Sequence, residues 1–139
     1  MVKPEPLRVV CAILEHEGKV LVARRGPAMS MAGFWEFPGG KVEPQESAEW
    51  ALVREIREEL GLEIAVGVPF PASDWDCGQR LIRLLPFVCS LRGGQLQLLE
   101  HDAVEWVAPT ALLDRHWAPA DVPVVMEYLR TQQAPPSAC

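Results

Sequence analysis

The chain has 139 residues, 49% of them hydrophobic, and a formal net charge of −6. That length suits one compact domain with a single core and leaves no room for a second catalytic unit. Net negative charge argues against binding to nucleic acid, whose backbone is held by clustered Lys and Arg, and no apolar run approaches the roughly 18 residues of a membrane span.

The expected location is the cytoplasm, since no basic segment leads into an apolar stretch and a small-residue cleavage site. Cys11, Cys77, Cys89 and Cys139 are widely spaced and form no C-x-x-C pair, so they read as free thiols. Along the chain, Arg8 to Glu15 and Lys19 to Arg24 are apolar, β-branched runs separated by His16-Glu17-Gly18, which predicts a hairpin. Gly26 to Gly33 reads as a loop, and after Trp35 to Pro38 the Gly39-Gly40 pair suggests an unusual turn.

From Ser47 to Leu60 there is no Gly or Pro, and helix formers dominate. Ser47 is the expected N-cap, Glu49 suits the positive first turn, and Gly61 stands where the helix should stop. Leu62 to Val68, Leu81 to Leu91 and Ala103 to Val107 read as strands, with a turn at Gly93-Gly94. A last amphipathic helix begins near Pro123, with Val124, Val125, Tyr128 and Leu129 on one side. The domain is expected to span residues 1–131, followed by a frayed tail from 132 to 139.

The chemistry concentrates on the central helix. At about 100° per residue, Glu55, Glu58 and Glu59 fall within one arc that overlaps the inward-facing Ala48, Ala51 and Leu52. Carboxylates at i, i+3 and i+4 repel one another, and burying one unpaired is costly, so something positive must compensate. A hard cation such as Mg2+ or Mn2+ is one answer. A surface ion-pair network with Arg54 and Arg57 is the other.

Gly40 is followed by five residues and Glu46, then seven residues and Arg54-Glu55-Ile56-Arg57-Glu58-Glu59-Leu60-Gly61-Leu62. This resembles the Nudix box, G-x5-E-x7-R-E-U-x-E-E-x-G-U with U aliphatic, at every specified position. Seven fixed residue types would coincide by chance at about one in 20 to the seventh power per start position. The similarity extends over nearly the whole chain toward the MutT and CTP pyrophosphohydrolase branch, through the segments 33–43, 100–106 and 117–123.

The resemblance implies an α/β/α sandwich around a mixed sheet, with the box as loop, helix and loop. It implies that Glu55, Glu58 and Glu59, with the Gly39 carbonyl, ligate Mg2+ or Mn2+. Arg54 would orient Glu55, while Gly40, Glu46 and Gly61 would serve the structure of the box. Glu100 falls where the branch places a further metal-binding or water-activating glutamate.

The implied reaction is attack of water at the β-phosphorus of a nucleoside triphosphate, releasing monophosphate and pyrophosphate, an activity that includes nucleotide-pool sanitation and DNA repair. Glu55 is the preferred base, with Glu58 and Glu100 as rivals. Arg25, and secondarily Arg24 or Lys41, would hold phosphates. Asp121 matches a base-reading position, although it could equally cap the last helix. An ionised Asp only accepts hydrogen bonds, which favours a donor-rich edge such as that of cytosine, without excluding 8-oxo-guanine. Phe37 and Trp35 would border the base, although apolar packing explains them equally well.

Other branches find less support. The only tyrosine, Tyr128, is remote from the box, Cys77 stands where ADP-ribose hydrolases resemble one another in having proline, and the NADH-type motif is missing. A nucleotide-binding module without catalysis is the reading from another class. A monomer or a homodimer is compatible with the chain.

Overall fold

The computed structural model describes residues 5–133. Strand β1 (Leu7–His16) is apolar on both faces because it is covered on both. Successive side chains of a strand alternate, so Val10, Ala12 and Leu14 enter one core while Cys11 and Ile13 enter another. The chain reverses through Glu17 and Gly18, whose φ values are 51° and 77°, into β2 (Lys19–Arg24). Two positive φ angles make a tight turn whose twist matches that of the strands, as the expected hairpin requires.

The order continues with β3 (Trp35–Glu36), β4 (Gly39–Lys41), α1 (Ala48–Leu60), β5 (Leu62–Pro69), β6 (Ser73–Asp76), β7 (Leu81–Gly94) and β8 (Ala103–Val107). Two short 3-10 turns, Pro109–Asp114 and Pro119–Asp121, lead into α2 (Val122–Gln133). The sheet runs β3-β2-β1-β7-β5, with β4 also on β1, β6 on β7 and β8 on β2. The β1–β7 pair is parallel and the other strand pairs are antiparallel. The sheet is therefore mixed.

Each helix covers one face. Ala48, Ala51, Leu52, Ile56 and Leu60 of α1 pack on the Val10, Ala12 and Leu14 side. Val124, Val125 and Tyr128 of α2 pack with Cys11, Ile13, Phe37 and Trp117. Removing each fully buried Leu or Ile from water contributes roughly 1.5–3 kcal/mol, so the two cores fasten both helices to one sheet. The α/β/α sandwich expected from the sequence is the observed fold.

Three local features differ from expectation. Gly93 and Gly94 end β7 rather than making a turn, pairing with Glu63 and Leu62 beyond a register shift between Glu63 and Ile64. A Cβ at Gly94 would meet the Gly61 carbonyl oxygen at 2.4 Å, so close approach requires the glycine there. Strand β6 went unforeseen because Ser73-Asp74-Trp75-Asp76 is mostly polar. Its pairing is reinforced by Asp74 with Arg83 at 2.9 Å. Gly39 and Gly40 form β4, whose strand conformation replaces the expected turn.

Helix α2 extends to Gln133, and the remainder of the expected tail, 134–139, lies outside the described residues, as does Cys139. Cys11, Cys77 and Cys89 are free thiols. Among the described residues no helix is long and apolar enough to cross a membrane.

Candidate active site and metal centre

The helix that carries the acids is fixed at both ends by its own sequence. Ser47 accepts a hydrogen bond from the Trp50 N–H at 3.1 Å, and Gly61 adopts the left-handed conformation with φ 70°, donating to the Arg57 carbonyl at 3.0 Å. In front of it, β4 lies against β1, with Gly39 opposite Cys11 and Gly40 opposite Val10. A Cβ at Gly39 would stand 1.8 Å from the Val10 carbonyl oxygen, and one at Gly40 would stand 2.3 Å from the Glu55 carboxyl carbon. The glycine pair thus admits β1 on one side and the Glu55 carboxylate on the other.

Arg54 organises the first half of the helix. Its Nε and Nη2 donate to the two Glu46 oxygens at 2.7 and 2.8 Å, Nη1 donates to Glu55 at 3.0 Å and to Glu58 at 3.3 Å, and Nη2 also reaches the Lys41 carbonyl at 3.2 Å. Glu46 accepts the Glu43 N–H at 2.9 Å as well. The Arg54 fork, followed by that backbone bond, holds the Glu46 carboxyl down at about 2. Arg57 points elsewhere, to Glu63 at 2.7 and 2.9 Å. The surface ion-pair reading of the helix therefore accounts for Glu46, Glu55 and Glu58, but not for Glu59.

Glu59 is the exception. Its Oε2 is buried and has no hydrogen-bond partner. Burial, then the charges of Glu100 and Glu55, push its carboxyl above the ordinary range. Burial likewise raises Glu55, against the opposing pull of Arg54. Two half-buried acids are thus disfavoured as anions by burial and by neighbouring carboxylates, which suits a compensating cation.

The expected single face needs one correction, because Glu58 is exposed and drawn to Arg54, while Glu55 and Glu59 turn inward. Among the described residues no three His, Cys, Asp or Glu side chains converge as metal ligands do. Arg54 draws the exposed Glu58 toward itself at 3.3 Å.

Glu100 is exposed in the segment between β7 and β8. That segment caps the end of α1: the N–H groups of Gln95, Gln97 and Leu99 donate to the carbonyls of Gly61, Leu60 and Glu59 at 3.2, 2.8 and 3.3 Å. Helix carbonyls left without intrahelical partners are thereby satisfied, and Glu100 is brought to the Glu59 end of the helix.

The groups expected to meet the substrate are arranged differently from expectation. Arg25 is committed to Glu36 through Nη1 at 2.6 Å and to Ser30 through its other nitrogens. Arg24 pairs with Asp102 at 2.7 Å. Among the described residues Lys41 has no side-chain hydrogen bond, which leaves its ammonium available. The Phe37 ring is buried against Trp117, with centroids 4.9 Å apart, so it builds core rather than bordering a base. Trp35 carries the guanidinium groups of Arg24 and Arg115 at 5.7 and 4.9 Å from its ring centre.

Asp121 is buried and accepts the Phe37 N–H at 2.9 Å, a bond spanning 84 residues rather than a cap of α2. Burial, then the Glu36 charge, raises its carboxyl well above the usual range. Burial thus disfavours the ionised carboxylate on which the acceptor-only argument rests.

Sequence reasoning overlooked Glu36 and His101. Glu36 takes Arg25 on one oxygen and His101 Nε2 on the other at 2.8 Å, while His101 Nδ1 is buried without a partner. The two are 65 residues apart. The only sequence signal for the pair is that both occur in segments carrying the family resemblance.

A family model described as NUDIX domain matches residues 4–128. The CTP pyrophosphohydrolase of Escherichia coli (strain K12) is 42% identical over 131 residues, 94% of this chain and 97% of that protein. The 8-oxo-dGTP diphosphatase of the same strain is 30% identical over 125 residues, 89% of this chain and 97% of that one. The solution structure of the E. coli ORF135 protein superposes with a TM-score of 0.85 at 41% identity, covering 96% of both chains.

Proposed function

Because this chain belongs to the Nudix family, we propose that it hydrolyses the diphosphate link of nucleoside triphosphates, releasing monophosphate and pyrophosphate, and that CTP-type nucleotides are its substrates. Nudix hydrolases generally need a divalent metal. The observation that carries the reading is Glu59 Oε2, buried and unpartnered beside other acids, while the Arg54 guanidinium is spent on Glu46, Glu55 and Glu58.

Glu55, Glu58, Glu59 and Glu100, with the Gly39 carbonyl, would hold Mg2+ or Mn2+. When bound, the cation offsets phosphate charge and lowers the pKa of the attacking water. Glu55 accepts the proton, its carboxyl raised by burial against the pull of Arg54. Arg54 holds the Glu55 carboxylate in place, and Gly40 gives it room. Lys41, whose carbonyl already touches Arg54, supplies the free cation for phosphate.

Base choice falls to the Asp121 neighbourhood. A second reading, hydrolysis of 8-oxo-dGTP, is favoured by the similarity to an 8-oxo-dGTP diphosphatase. Incubation with Mg2+ and a panel of CTP, dCTP, 5-methyl-dCTP, 8-oxo-dGTP and dGTP, with pyrophosphate assayed, tests both. Fastest release from a cytosine nucleotide is the expected result. Fastest release from 8-oxo-dGTP selects the second reading, and no release from any member leaves a binding module.

A further inference from the structure

We propose that His101, anchored by Glu36, is the positioning residue that presents Glu100 to the acid cluster, an inference that rests on the reading of Glu100 as part of that cluster. Glu100 has no side-chain hydrogen bond among the described residues and sits outside any regular element. Its place is therefore set by its neighbours.

On one side, the Leu99 N–H donates to the Glu59 carbonyl at 3.3 Å, which ties the segment to α1. On the other, the His101 side chain is 2% exposed and meets Glu36 at 2.8 Å. The Asp102 N–H donates to the Arg24 carbonyl at 3.1 Å, and the Asp102 carboxylate pairs with Arg24. Beneath Glu100 itself, a Cβ on Gly26 would lie 2.0 Å from the Glu100 carbonyl oxygen. The backbone is thus hydrogen-bonded before and after Glu100 and packed closely against Gly26 at it, and its side chain is left to project.

Glu36 suits the anchor because it cannot follow the ring. Its other oxygen is held by Arg25 at 2.6 Å, and its side chain is 13% exposed. A carboxylate only accepts, so His101 Nε2 is the donor, and the ring orientation is fixed by one directed bond.

The test is a mutant cycle read as kcat, KM and melting temperature, using CTP and Mg2+. Glu100→Gln is expected to lower kcat about 100-fold. His101→Leu should lower kcat about tenfold with little change in nucleotide KM. His101→Gln, whose amide places a donor near the position of Nε2, should restore most of the loss. In the Glu100→Gln background, His101→Leu should cost nothing further. Gly26→Ala, which displaces the same backbone without touching the buried pair, should behave like His101→Leu and serves if that variant fails to fold.

Equal losses from His101→Leu or Gly26→Ala in both backgrounds would overturn the inference, as would a fall in melting temperature with kcat intact. Full kcat in Glu100→Gln would instead refute the role of Glu100, and the positioning inference would fall with it.

Discussion

Glu46 and Glu59 stand at opposite ends of the same loop-and-helix unit, and their surroundings move them in opposite directions. Glu46 receives both arms of Arg54 and a backbone N–H, and its carboxyl is held at about 2. Glu59 keeps a buried oxygen with no donor and is raised by burial and by other acids. A paired acid holds the fold together, whereas an unpaired one keeps its lone pairs for something the chain does not itself supply. On the proposed reading, stability and function are divided between two glutamates that look alike in the sequence.

That contrast is open to attack at each end. Glu59→Gln should lower kcat by about 10²–10³-fold, while the melting temperature, measured by calorimetry, stays level or rises because a strained anion has been neutralised. A drop in stability with activity preserved would reverse the assignment. Glu46→Gln should do the opposite, lowering the melting temperature by about 5 °C because Arg54 loses a partner, with metal dependence intact in the folded fraction.

The pH dependence follows from the same pair. The folded Glu46 carboxyl lies below its ordinary 4.5, so its contribution is fully present above about 4.5 and is lost as pH falls toward about 2. Acid unfolding of Glu46→Gln should therefore be flatter across that window. Identical acid limbs in the two proteins would show that the pair does not stabilise the fold.

Asp121 offers a smaller effect of opposite sign. Its folded carboxyl is raised, so its favourable contribution is complete below the ordinary 3.8 and is lost as pH climbs through the higher folded value. Asp121→Asn, whose amide oxygen still accepts the Phe37 N–H, should melt slightly higher at neutral pH and change the base preference. An unaltered preference would remove Asp121 from substrate choice.

What could be read in the sequence was what is decided locally. Ser47, Gly61 and the helix between them follow from neighbouring residues, and the Glu17-Gly18 turn follows from two positions. The mixed sheet and its flanking helices followed from the box resemblance and agreed with the local strand and helix patterns.

The parts that were illegible depend on distance. Nothing near Asp121 announces Phe37, and nothing near His101 announces Glu36; β2 brings the second pair together by holding β3 on one side and β8 on the other. Strand β6 is too polar to signal burial, and β4 is a strand of glycines whose reason is the space that Val10 and Glu55 require. Arg25 was legible as a cation, but its commitment to Glu36 and Ser30 was not.

The most direct test is titration calorimetry of Mg2+ and Mn2+ into the wild-type protein and Glu59→Gln, with and without a nucleotide. Uptake by the wild type that is weakened or lost in the folded variant is the predicted result. No cation uptake by the wild type under either condition would contradict it, because the buried oxygen of Glu59 would then have no ligand to serve.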